Sequence, residues 1–195
     1  MKKVVLTGGP HAGKTTVLKA LQETFKDRVT LIPEAATILL EGGFANLGET
    51  VNQNDTWARV FQGAIVALQN HMEKHYEHLA EGAGSQLLIC DRGIMDGVAY
   101  TPGGVAEFCA RYGINELEAY NRYETIIHLE SLATADPLSY GKAGNRWRHE
   151  SLNHAQELEY ATRLAWLGHP NRVQIKGKNI DEKVRKVVEH INSIL

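Results

Sequence analysis

Cysteine is scarce in this sequence. Cys90 and Cys109 are its only cysteines, too few and too isolated for a disulfide framework or a zinc cluster, which points to a reducing, intracellular setting. Long apolar runs are missing as well. The run that follows Met1-Lys2-Lys3 stops at Leu6, and nowhere do about 18 apolar residues follow one another as a membrane span requires. A soluble, cytoplasmic protein with neither export signal nor membrane span is therefore expected. No charge of one sign dominates: the formal net charge is −2 at pH 7 and the isoelectric point is near 6.5. Nucleic acid and anionic lipid need a basic face, so no nucleic-acid partner is expected. Repeats, low-complexity tracts and linkers are absent, and with 43 % hydrophobic residues the 195-residue chain suits one domain over residues 1–195. His71, His75 and His78 share one face of a helical stretch, but the intervening glutamate is misplaced for H-E-x-x-H, so no metal is expected there. N-K-x-D and D-x-x-G are missing too, which disfavours a guanine-selective switch, and the length leaves no room for the extra helical domain of a motor or ring ATPase.

What is present is organised around Gly8-Gly9-Pro10-His11-Ala12-Gly13-Lys14-Thr15, which matches G-x-x-x-x-G-K-[ST] at every fixed position. The apolar run Val4-Val5-Leu6 precedes it, and the helical pattern Val17, Leu18, Leu21, Phe25 follows. That strand-loop-helix context separates a phosphate site from a chance match. Glycines let the backbone wrap so that successive N–H groups face phosphate oxygens, and the helix start adds a favourable dipole. Gly8 through Thr16 are thus the expected nucleotide-binding residues. Lys14 would reach the β- and γ-phosphates, and the Thr15 hydroxyl would sit on Mg²⁺.

Further along, Arg28 to Ile32 reads as a second buried strand that ends at Pro33 and delivers Glu34. Ligands gather at the carboxyl ends of strands in open α/β sheets, so Glu34 is placed to face a phosphoryl acceptor, or else to serve as a helix N-terminal acid. Residues 41–51 read as a loop able to shape a substrate pocket. From Asp55, Trp57, Val60, Phe61, Ala64, Ile65, Leu68, Met72 and Leu79 recur at helical spacing, giving one long amphipathic helix with Gln62 near its start as a substrate contact. Gln86 to Cys90 is a continuous apolar strand ending in Asp91-Arg92-Gly93. Asp91 would serve Mg²⁺ directly or at one remove, and Arg92 would contact a phosphate or fix a carboxylate. Thr125 to Leu129 and Asn171 to Ile175 read as two more strands, and a last helix carries Val184, Val187, Val188 and Ile191 with Asn179 or Asp181 as cap. Strands alternate with helices throughout, the mark of a parallel sheet covered on both faces.

Residues 139–150 hold two glycines and the cations Lys142, Arg146 and Arg148 just ahead of another helix, a composition suited to a lid. Two readings follow. In the first, ATP and Mg²⁺ bind at the loop, Glu34 takes a proton from the hydroxyl of a nucleoside-like small-molecule acceptor, and Arg146 and Arg148 stabilise the transferring phosphoryl group. Lys14, Glu34, Asp91, Arg146 and Arg148 are then the catalytic set, Glu34, Gln62 and Arg92 the acceptor contacts, and Thr15 and Asp91 the metal ligands. In the second, the chain is a nucleotide-dependent regulatory module with slow hydrolysis and a protein or phosphoinositide partner.

The motif residues, together with Pro33-Glu34-Ala35-Ala36, Cys90 to Gly93, Met95-Asp96-Gly97, His128-Leu129-Glu130 and Asn145 to Glu150, resemble the NadR-type P-loop family. These are AAA-family ATP-binding proteins related to the ribosylnicotinamide kinase domain and to the insect TRPL translocation defect protein. The resemblance covers most of the chain in order. With the wider similarity to nucleoside and nucleotide kinases, it implies a five-stranded parallel sheet of order 2-3-1-4-5, a three-layer α/β/α fold with a mobile lid, Glu34 as acceptor-side base and Asp91 near Mg²⁺. The insect relative further implies a capacity to bind GTP or phosphoinositide.

Overall fold

The computed structural model describes residues 1–44, 55–140 and 151–195. Strands β1 (Lys2–Thr7), β2 (Val29–Ile32), β3 (Leu87–Asp91), β4 (Thr125–Leu129) and β5 (Arg172–Ile175) form one sheet of order β2-β3-β1-β4-β5. Every pairing is parallel, as the sequence resemblance implied. A sheet covered on both faces needs apolar side chains on both sides of each strand, which is why β1, β3 and β4 read as unbroken apolar runs.

Period-two alternation sends Val4 and Leu6 to one face and Val5 to the other. On the first face they pack with Val17 and Leu21 of α1 (Lys14–Phe25) and Val187 and Ile191 of α8 (Ile180–Ile194). On the second, Val5, Leu88, Cys90 and Ile126 meet α3 (Asp55–Ala83), a 3-10 segment (Ile94–Tyr100), α4 (Gly104–Tyr112) and α5 (Glu116–Asn121), along with Trp166. Each such aliphatic side chain, fully buried, contributes about 1.5–3 kcal/mol. Trp166 directly follows α7 (Leu152–Ala165), while α2 (Ala35–Glu41) and the short α6 (Leu132–Ala135) complete the helices of the described residues.

Helix starts agree with local chemistry. Asn179 caps α8 by accepting the Glu182 N–H at 3.1 Å, so the cap is Asn179 and not Asp181. Two expectations for α3 need correction. Val60 and Leu79, assigned to its apolar stripe, are 58 % and 51 % exposed. Interior positions of the helix are held instead by Gln62, Gln69 and Glu73, polar groups that a hydrophobicity pattern assigns to solvent. Glu73 accepts hydrogen bonds from Gln69 Nε2 at 3.0 Å and from the Tyr123 hydroxyl at 2.7 Å, and Lys3 and Arg122 lie 3.5 and 3.6 Å from its other oxygen. Paired in this way, a buried carboxylate is tolerated.

The topology places the site. Helix α1 leaves β1 toward one face and the segment after β3 leaves toward the other, so a crevice opens between the carboxyl ends of these neighbouring strands. β2 adjoins β3, and three strand exits thus stand side by side.

Candidate functional site

The phosphate-binding loop, residues 8–13, runs from the end of β1 to the first turn of α1. Gly8 and Gly13 have positive φ (147° and 92°), and His11 adopts 57°. At Gly8 any side chain would run into the Leu129 carbonyl of β4, and at Gly13 into Ile180. Gly8 is therefore required by conformation and by space, Gly13 by conformation, since the Ile180 side-chain end can move. Lys14 is buried at 6 % exposure, whereas Thr15 and Thr16 are exposed on the first turn of α1. Pro10 and Ala12 are buried, and the His11 ring meets Tyr140 edge-on at 5.1 Å.

Beside this loop stands a buried cluster built by three strand exits. Glu34, at the N-cap of α2, makes no capping bond with its side chain. Its Oε1 accepts from Arg92 Nε at 2.5 Å and its Oε2 from the Thr37 hydroxyl at 2.7 Å. Arg92 lies 3.4 Å from Asp96 through Nη1, and Asp96 in turn accepts the Thr7 hydroxyl and, at 2.8 Å, the Gly93 N–H. Burial alone pulls Arg92 down, but Tyr100, Glu34 and Asp96 hold its pKa well above the ordinary value. The carboxylates that Arg92 meets are those of Glu34 and Asp96, whereas its expected role is to contact a phosphate or to fix the neighbouring Asp91. Sequence reasoning gave Asp96 no role, because a 3-10 turn offers no periodic signal.

Asp91 occupies the last position of β3, opposite Leu6 of β1. The backbone that follows it is held by α3 and by the residue two before β4: Gln69 Nε2 reaches the Arg92 carbonyl at 3.4 Å, and the Tyr123 hydroxyl accepts the Ile94 N–H at 3.1 Å. Among the described residues no group of three or more His, Cys, Asp or Glu side chains converges as a metal cage. Mg²⁺ does not need one, since it is held by one or two protein oxygens plus phosphates, and a hydroxyl with a carboxylate is a donor set of the right hardness. His71, His75 and His78 are all exposed on α3.

Gln62 is 7 % exposed, and its Oε1 has no hydrogen-bond partner among the described residues. It faces the Gly97 backbone and Phe108. One residue earlier, Phe61 stacks on Trp57 at 4.9 Å and leans on Phe44 at 5.4 Å. Arg146 and Arg148, with most of the expected lid at 139–150, lie outside the described residues, as does most of the 41–51 loop.

Two charged residues that sequence reasoning missed reach the phosphate-binding loop. Glu159 of α7 accepts the Gly9 N–H at 2.8 Å through Oε2 and meets His128 Nε2 at 2.7 Å through Oε1. Burial works to raise its pKa, but bonds to His128, Gly9 and the Ser131 backbone outweigh that and lower it. Lys183 of α8 donates to the Ala12 and Glu130 carbonyls at 3.3 and 2.6 Å. A signal existed for both: each is a charge within the apolar stripe of its helix, Glu159 beside Leu158 and Lys183 four before Val187.

A family model described as an AAA domain, AAA_28, matches residues 3–183. The chain belongs to this family. It is accordingly a P-loop nucleotide-binding protein, and the match takes in the loop, all three strand exits, and Glu159 and Lys183. No curated protein matches the chain. Among the described residues of this AAA-domain protein, no helix is long and apolar enough to cross a membrane.

Proposed function

We propose that this AAA-domain protein is an ATP-dependent kinase that transfers the γ-phosphoryl group to a hydroxyl of a nucleoside-like small molecule. The observation that carries the reading is the fixed carboxylate Glu34, held by Arg92 and Thr37 at the strand edge beside the phosphate-binding loop. A switch that only hydrolyses nucleotide has no need of an oriented acid on that side.

The acceptor side favours a flat polar ring. Phe61 stacks on Trp57 near the start of α3, and an aromatic face of this kind suits a planar ring. The NadR-type resemblance points to the same acceptor class. On the nucleotide side, Gly8 to Thr16 take the phosphates and Lys14 supplies a charge to them. Mg²⁺ held by Thr15 and Asp91 would neutralise charge on the triphosphate. Residues 139–150 complete the single domain as its lid, with Arg146 and Arg148 closing on the transferring group.

The test compares two variants. Glu34→Gln is expected to lower kcat by about 10²–10⁴-fold with ATP affinity unchanged, whereas Lys14→Ala loses nucleotide binding itself. Phosphoryl transfer at the wild-type rate in Glu34→Gln, with Lys14→Ala inactive, would show that Glu34 is not the base.

A further inference from the structure

A phosphate-binding loop works only if its peptide N–H groups face the anion, and a single reversed peptide would present a carbonyl oxygen instead. Something has to set the sense of each peptide. In this chain the peptide joining Ala12 to Gly13 is gripped from outside the loop. Lys183, 2 % exposed on α8, donates to the Ala12 carbonyl at 3.3 Å and to the Glu130 carbonyl at 2.6 Å. A trans peptide sets C=O and N–H on opposite sides, so the bond that draws the Ala12 oxygen toward α8 turns the Gly13 N–H away from it. Gly13 itself has φ of 92°, and without a Cβ its backbone resists reversal weakly.

We propose that Lys183 is a positioning residue for nucleotide phosphate: by holding the Ala12 carbonyl outward it presents the Gly13 N–H, and with it the start of α1, to the anion. Its placement is otherwise hard to justify. A buried lysine loses hydration and long-chain rotamer freedom, and this one makes no ion pair among those of the described residues; burial pulls its pKa down, against the raising influence of Glu130 and Glu159. An apolar residue would fill the same space in the α1–α8 core at less cost. The second carbonyl it holds belongs to Glu130, whose carboxylate accepts the Gly177 N–H at 2.7 Å. Lys183 thus ties the loop to the end of β4, and through Glu130 to the turn before α8.

The inference rests on the family's nucleotide binding and not on the kinase reading, so its test uses equilibrium affinity. Binding of ADP, GDP and inorganic pyrophosphate would be measured by calorimetry for wild type, Lys183→Met and Lys183→Arg, with thermal melts for each. Lys183→Met is expected to weaken all three ligands alike by about 10- to 100-fold, the range for losing a charge-assisted hydrogen bond, while Lys183→Arg recovers much of the loss. In an enzyme assay the KM for ATP rises and that for the acceptor stays. Unchanged pyrophosphate affinity in Lys183→Met would overturn the proposal, and so would a loss confined to ADP and GDP, which would move the effect to the turn before α8. Should Lys183→Met fail to fold, Lys183→Leu, which likewise removes the donor, carries the same comparison: a pyrophosphate affinity equal to wild type contradicts the proposal, and a common loss across the three ligands supports it.

Discussion

Arg92 shows how much one side chain settles at this site. Its backbone stands at φ 70°, an uncommon conformation for a residue with a Cβ, directly after the last residue of β3. That bend aims the guanidinium between Glu34 and Asp96, with the Tyr100 ring 5.9 Å from its centre. Removing the cation leaves the partly buried Glu34 and the buried Asp96 carboxylates without the partner they share. Arg92→Met should therefore cost roughly 3–5 kcal/mol of stability, the range for breaking one side of a buried pair, as read from urea unfolding. A variant within about 0.5 kcal/mol of wild type, the scatter of an ordinary surface substitution, would mean that the pair is not structurally coupled. The Asp91-Arg92 dipeptide stood out in the sequence because its apolar strand follows a phosphate-binding motif in the right order, a strand-terminal acid alone being weak evidence. What Arg92 touches was not legible, since Glu34 is distant in the chain and is brought near only by the pairing of β2 with β3. Asp96 was passed over although its motif stood out by resemblance, because nothing in its spacing shows that it would accept from both Thr7 and Gly93.

At the scale of elements, strands and long helices were read with boundaries close to those observed. Apolar residues dominate β1, β3 and β4, and tertiary packing agrees with that local preference; β5, Arg172-Val173-Gln174-Ile175, alternates instead, as an edge strand does. Helix faces were read less well. On α3, α7 and α8 the interior positions include Glu73, Glu159 and Lys183, and a rule that equates charge with solvent misplaces all three. The link from α7 to the loop has a measurable consequence. Glu159 has a folded pKa lowered below its ordinary value of 4.5, so the folded state binds fewer protons than the unfolded chain over that interval. Its contribution is fully present at neutral pH and is lost as the pH falls below 4.5 through the lowered folded value. Acid unfolding followed by circular dichroism should show this loss, and Glu159→Gln should flatten the profile there while lowering stability at pH 7. A variant with the wild-type acid profile would contradict the assignment. Cys90, by contrast, is a core residue: burial first, and then Glu73, push its thiol well above the ordinary range.

For the whole molecule, the sheet order has a chemical meaning. With β2, β3 and β1 as neighbours, their exits set Glu34, Asp91 with Arg92, and the phosphate-binding loop along one edge, so two carboxylates, a guanidinium and the loop come together from three separate stretches of sequence. The resemblance implied that order and the sheet has it. The surroundings of Gln62, Trp57 and Phe61 are the part least visible in the chain, because the burial of Gln62 and the Trp57–Phe61 ring stack arise only in the fold. The most direct measurement is consumption of ATP and of GTP with Mg²⁺, alone and against a panel of nucleosides, nicotinamide riboside and other small hydroxyl compounds, with Lys14→Ala as control. A large rise in ADP release with one class of acceptor, lost in the control, is the predicted result. Slow turnover indifferent to every acceptor would contradict the kinase account and favour a nucleotide-dependent binding module.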